Sequence, residues 1–131
     1  MTGRAATQTI ISGRAALSVG DPGGLVPLGW QRVLLTEVAD LGTGHTPSRS
    51  HPEYWDGEIP WVGLRDARAC HGSSVTETRQ TITPQGVENS SARLLPAGTV
   101  CLSRTASVGY VVMLGRPMAT SQDFVAWSCG D

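Results

Sequence analysis

A mixed α/β domain with short helices is what this sequence predicts, and three features carry that expectation. Residues 99–103 and 108–114 are rich in β-branched and large apolar side chains and flank the polar run Arg104-Thr105-Ala106-Ser107, the pattern of two linked strands. Thr83-Pro84 is a helix start, a capping hydroxyl followed by proline at the first helical position. Between Gly42 and Trp61 the chain is neither, because Gly42, Gly44, Pro47, Pro52 and Gly57 interrupt any long helix or strand.

The elements follow in order. The chain has 131 residues, enough for one domain that buries roughly two-thirds of its unfolded surface. Residues 1–26 are rich in Ala, Gly, Ser and Thr, and Asp21-Pro22-Gly23-Gly24 is a turn signal, so this part reads as a disordered leader or linker. Order is expected from residue 27. Trp30 to Leu35 fits a short strand, and Thr36 caps a short helix with Glu37 in its first turn and Gly42 as its stop. In the loop that follows, Tyr54, Trp55 and Trp61 supply too much apolar surface to float, so the loop is expected to be pinned to a core, leaving Arg49, Ser50 and His51 facing outward. Residues 59–62 read as a strand with Pro60 near its start or at an edge. Residues 63–81 are polar, with a turn and a short strand near 75–78; a helix runs from Thr83 to about Ser91; 94–98 turn. After the two strands and a turn at 115–117, residues 118–128 form one more strand, and the chain stops at Asp131 without a closing element, which reads as a domain incomplete at its C-terminus.

Composition narrows the function. The apolar share is 40% and the charged share 16%, with no run near the roughly 18 apolar residues of a membrane helix and no signal-peptide core in the first eleven residues. A cytoplasmic protein with no membrane partner is the expectation. Three cysteines, Cys70, Cys101 and Cys129, form no CxxC pair and read as reduced thiols. Net charge is −1, yet all ten basic residues are arginine, whose planar fork suits phosphates and guanine edges.

No catalytic cluster emerges. Cys70 and His71 are adjacent, so their side chains diverge, whereas a nucleophile and its base usually meet from separate parts of a fold. The histidines and cysteines match no zinc-ligand spacing, and the glycines near Gly42 lack the Gly-Lys-Ser/Thr of a phosphate cradle. Asp66, between Arg65 and Arg68, reads as part of a solvated turn. Arg49, Arg65, Arg68, Arg79 and Arg104 all fall on expected loops, where recognition usually sits.

The spelling from Pro27 to Phe124 adds a specific signal. A Trp-led segment (Trp30, Val33, Leu35) precedes Gly44-His45-Thr46-Pro47 and Tyr54-Trp55-Asp56-Gly57-Glu58-Ile59-Pro60-Trp61. Asp66, Thr81-Ile82-Thr83 with Gly86, Ser91-Ala92 and Leu95-Pro96-Ala97-Gly98-Thr99-Val100 come next, then Ser103, Gly109 and Gln122-Asp123-Phe124. In this order these motifs, over about three-quarters of the chain, resemble the target recognition domain of the DNA specificity (S) subunit of type I restriction–modification systems. Ser121 stands where that family often has Asn.

The resemblance implies a target-recognition-domain-like mixed sheet, with 27–131 a partial domain and Tyr54, Trp55, Gly57, Pro60, Trp61 and Gly109 as scaffold. It implies sequence-specific recognition of double-stranded DNA by a non-catalytic component, with Arg49, Arg65, Arg68, Arg79 and Arg104 facing DNA. Partner methyltransferase (M) and restriction (R) subunits would perform methylation and cleavage, using S-adenosylmethionine, ATP and Mg; this chain would need no cofactor, metal or small-molecule substrate. A full subunit of that family carries two such domains joined by long spacer helices. The alternative from another class is a truncated remnant that binds no DNA and acts only as a protein-interaction piece through exposed strand edges.

Overall fold

The computed structural model describes residues 26–129; the expected leader, 1–26, lies outside the described residues apart from Val26. The chain divides near residue 40 into two compact units. Described within the first are a turn closed by Trp30 N donating to Pro27 O (3.0 Å) and a four-residue helix, α1 (Leu35–Val38). The expected strand at Trp30 to Leu35 does not form: Trp30 is 73% exposed and Leu28 fully so. Strand propensity expresses fit to a half-buried pleated surface, and these residues meet none. Nor does the helix continue to Leu41. The chain becomes extended as β1 (Ala39–Thr43), whose buried positions are Ala39 and Gly42. Leu35, Val38 and Leu41 mimic helical spacing, but all three are substantially exposed.

The second unit, from Leu41 to Cys129, holds two sheets. Its elements are a 3₁₀ turn (Pro52–Tyr54), β2 (Trp55–Val62), α2 (Leu64–Ala69), β3 (Ser73–Val75), β4 (Gln80–Ile82), α3 (Pro84–Glu88), β5 (Val100–Ser103), β6 (Val111–Leu114), β7 (Ala119–Thr120) and β8 (Phe124–Cys129). The five-stranded sheet has the order β1-β8-β5-β6-β3; the three-stranded sheet is β4-β2-β7. This is the mixed α/β architecture expected.

The β5–β6 pair is antiparallel, and both strands alternate exposed and buried residues, as a sheet with one covered face should. Cys101, Val112, Leu114, Phe124 and Ala126 point into the main core. Full burial of side chains such as Phe124, Leu114 and Met118 contributes roughly 1.5–3 kcal/mol each. A smaller cluster of Trp61, Ile82, Ala92 and Ala119 underlies the second sheet, flanked by Trp55, Ile59 and Val87.

Differences from the expected elements have local causes. The 118–128 strand is two strands, because Ser121 and Asp123 bond each other (Asp123 N to Ser121 Oγ, 3.3 Å) and turn the chain from one sheet into the other. β2 begins four residues earlier than expected; a bulge between Trp55 and Ile59 lets both residues face Ile82. Gly57 sits in that bulge, where a Cβ would lie 2.4 Å from the Ile82 carbonyl oxygen. Helix α3 starts as expected, with Thr83 Oγ1 accepting from Gly86 N at 3.1 Å. It stops at Glu88 rather than Ser91, since the Ser90 hydroxyl donates back to Gly86 O (2.7 Å) and accepts from Ala92 N. β6 begins at Val111, not Val108, because Ser103 draws in Tyr110 N through its hydroxyl and leaves 104–109 as loop.

Candidate functional site

The polar segment 63–81 differs most from expectation, and it builds the site. It contains helix α2 and strand β4, and its short strand, β3, falls at Ser73–Val75 rather than 75–78. Asp66 organises it. Rather than lying in a solvated turn, Asp66 is 8% exposed, and its carboxylate accepts from Gly63 N (2.9 Å) and Arg79 N (3.0 Å). One side chain thereby caps α2 and ties the start of β4 to it.

Strand topology then gathers the rest. β2 pairs parallel with β7, Trp61 opposite Ala119 and Val62 opposite Thr120. It also pairs antiparallel with β4, Trp61 opposite Gln80. The carboxyl ends of β2 and β7 and the amino end of β4 therefore open at one edge, beyond which lies a cleft of about 440 Å³. Crevices beyond the carboxyl ends of parallel strands are common ligand sites. Trp61 forms its base, Arg65 and Asp66 of α2 one side, Arg79 and Gln80 another, with Gln122 and Asp123 after β7 and Thr46 and Arg49 from the loop.

That loop is pinned as expected. Trp61 Nε1 donates to His45 O (3.0 Å) and Trp55 Nε1 to Ser48 O (3.2 Å). The two indoles meet edge to face at 5.2 Å. Trp61 is buried at 6% exposure and Trp55 half-buried. The Arg49 guanidinium lies 4.4 Å from the Trp55 ring centroid and 5.7 Å from that of Trp61, within cation–π range. It also donates to Gln80 Oε1 at 3.4 Å. Arg49 is thus held on an aromatic platform rather than swinging free. His51 is engaged too, stacking on Tyr54 at 4.7 Å and bonding Glu53 Oε1 at 2.9 Å.

The five arginines divide. Arg49, Arg65 and Arg79 line the cleft. Arg65 and Arg79 also border an adjoining hollow of about 450 Å³ with Arg68. Arg65 and Arg68 stand on helix α2, not on a loop. Arg104 does not line the cleft, but its main-chain N donates to Asp123 O (2.8 Å) and Thr105 Oγ1 donates to Asp123 Oδ1 (2.7 Å), fixing its loop beside the rim. Among the described residues, no carboxylate lies within ion-pair distance of any of the five. Gln80 and Gln122 are cleft residues that the sequence argument gave no role. Gln122 belongs to a motif quoted for its spelling alone, and Gln80 carried no signal, since its place depends on the β2–β4 register.

Other reactive groups lie elsewhere. His71 Nδ1 accepts from Val111 N (3.0 Å) and its ring meets Tyr110 at 5.7 Å, a tie between the turn after α2 and the start of β6. Burial pushes the Cys101 thiol up to about 12. Among the described residues no group of His, Cys, Asp and Glu could hold a metal ion, and no helix is long and apolar enough to cross a membrane.

Known proteins resemble this chain in sequence and in fold. The specificity subunit of the type I restriction enzyme MjaIX from Methanocaldococcus jannaschii is 32% identical over 101 residues, covering 77% of this chain and 23% of that protein. The HindI specificity subunit from Haemophilus influenzae is 30% identical over 97 residues, 74% of this chain and 21% of its own length. This chain therefore spans less than a quarter of these curated relatives. In fold it is similar to the crystal structure of the HsdS subunit from Thermoanaerobacter tengcongensis, with TM-score 0.59 at 24% identity over 84% of this chain and 26% of that one. Residues 27–129 match the type I restriction modification DNA specificity domain, and the chain belongs to that family.

Proposed function

We propose that this chain recognises DNA sequence as the specificity component of a type I restriction–modification complex in the cytoplasm, and that it performs no chemistry itself. Modification and restriction subunits would methylate and cleave what it selects, with S-adenosylmethionine, ATP and Mg as their requirements, not this chain's. Double-stranded DNA is the ligand. The observation that carries this reading is the convergence of Arg49, Arg65 and Arg79 on one cleft whose carboxylates, Asp66 and Asp123, are turned to internal partners. Loops and helix α2 would approach the duplex, with Arg68 and Arg104 at the flanks. Three guanidinium groups in a cleft whose two carboxylates are bonded to neutral internal donors leave an excess of positive charge that favours a polyanion, and a fork on a stiff aromatic base loses little freedom on binding.

The test is duplex binding by the full chain as a function of salt. Each arginine that contacts a phosphate should contribute about 0.9 to the slope of log K against log salt. Arg65→Ala, Arg68→Ala and Arg79→Ala combined should weaken binding across all sequences and flatten that slope by about two to three. Unchanged affinity and slope in that variant, and in Arg49→Ala and Arg104→Ala, would remove the assignment.

A further inference from the structure

The hydrogen-bond direction of the cleft is more specific than its charge. Gln122 Oε1 accepts from the Thr46 hydroxyl, and Gln80 Oε1 accepts from Arg49. Both Asp66 oxygens accept from main-chain N–H groups. Asp123 Oδ1 accepts from Thr105 and Oδ2 from Ser121. Every amide and carboxylate oxygen of the side chains lining the cleft therefore already accepts one hydrogen bond within the protein. Donors outnumber acceptors among the groups left over: the two glutamine NH₂ groups and the guanidinium N–H groups of Arg49, Arg65 and Arg79.

We infer that this cleft reads the acceptor edge of a base, guanine above all, with Gln122 and Gln80 as specificity-determining residues beside Arg49. The inference rests on the DNA-reading role proposed above and deepens it. Guanine offers two acceptors, O6 and N7, in the major groove; thymine offers O4; adenine pairs N7 with an N6 donor; cytosine offers the N4 donor. A donor-rich cleft meets both guanine acceptors with donors and meets cytosine donor to donor, leaving polar groups unsatisfied. Both glutamines are tied to the protein through their side-chain oxygens. The Thr46 hydroxyl, on the loop fixed by Trp55 and Trp61, anchors the Gln122 side chain in the cleft. Turning Gln80 over would set its NH₂ against Arg49. The neighbouring hollow of Arg65, Arg68 and Arg79 is placed to take an adjacent phosphate.

The experiment is selection of duplexes from a randomised pool by the full 131-residue chain, then affinity measurements in which each guanine of the selected site is replaced by 7-deazaguanine. A site containing a guanine whose N7 removal weakens binding about tenfold supports the inference. Gln122→Glu or Gln80→Glu, which replaces a donor by an acceptor, should then lose preference for that guanine and gain tolerance of cytosine. Sequence-selective binding that no 7-deazaguanine affects overturns the inference and leaves the DNA-reading role standing. Binding equal for all sequences means the cleft holds phosphates only and overturns it as well. Absence of binding to any duplex at low salt overturns the proposed function and this inference together. If a glutamine variant fails to fold, the modified duplexes decide the matter with the unaltered protein.

Discussion

Trp61 and Trp55 look equivalent on paper, but the fold makes them unequal, and their alanine variants measure that difference. Trp61 is almost wholly buried within the second cluster, beside Ile82, Ala92 and Ala119. Its truncation removes that packing and the N–H donated to His45 O. Removing a buried Trp costs about 3–5 kcal/mol, a large part of the roughly 5–15 kcal/mol that holds a domain folded. At about 4–8 °C per kcal/mol for a domain near one hundred residues, Trp61→Ala should lower Tm by at least roughly 12 °C. Trp55 is only half-buried and its N–H bonds a carbonyl on an exposed loop, so Trp55→Ala should cost less than half as much. Both variants remove a ring from under Arg49 and should weaken duplex binding where they remain folded. Calorimetry or a circular-dichroism melt gives the stabilities. Equal Tm losses for the two variants, or a loss under about 1 kcal/mol for Trp61→Ala, would refute the picture of one indole as core and the other as buttress.

Three further outcomes follow from particular contacts. Gly57→Ala would set a Cβ 2.4 Å from the Ile82 carbonyl oxygen, so β2 and β4 must part; a loss of about 1–3 kcal/mol in denaturant titration is expected, and an unchanged midpoint would contradict the register. The Glu53 carboxyl is held below its ordinary value of 4.5, first by a main-chain hydrogen bond and then by the His51 side chain. A depressed folded value stabilises above the unfolded one and is lost as pH falls through it, so the Tm advantage of wild type over Glu53→Gln should shrink below about pH 4.5; parallel acid limbs would count against the contact. A thiol reagent at pH 8 should label exposed Cys129 quickly and buried Cys101 only on unfolding, because a thiol pushed up to about 12 holds almost no thiolate there; rapid labelling of Cys101 in the native protein would mean the main core is open.

What the sequence reveals is what local chemistry decides. The start of α3 is legible because Thr83 and Pro84 act on the turn they begin. β5 and β6 are legible because their alternation matches a sheet covered on one face. The anchored loop is legible because three large aromatics in a glycine- and proline-punctuated run need a core. Residues 63–81 resist the same treatment. Their order depends on Asp66, which reaches thirteen residues ahead to Arg79 N, and a carboxylate between two arginines looks solvated until that partner is known. Residues 30–35 mislead in the opposite sense: their composition suits a strand, but a strand needs a neighbour, and pattern does not supply one.

The same reasoning explains how a chain with net charge −1 presents a cationic cleft. Ten arginines nearly balance eleven acids in the formula, but charge acts through placement, and placement follows from what each carboxylate does. Asp66 is turned to main-chain donors and Asp123 to the hydroxyls of Ser121 and Thr105, so the acids of the cleft hold the fold and none of them pairs with its arginines. That assignment is invisible in a sum of charges. It can be probed by Asp123→Asn, which removes one negative charge but retains an acceptor for Thr105. If the carboxylate serves the fold alone, duplex affinity should rise modestly at low salt, by less than about tenfold, and the increment should vanish as salt screens the site. A loss of affinity in a variant that still melts at the wild-type temperature would instead make Asp123 a direct contact to the duplex, and the donor-rich description of the cleft would fail with it.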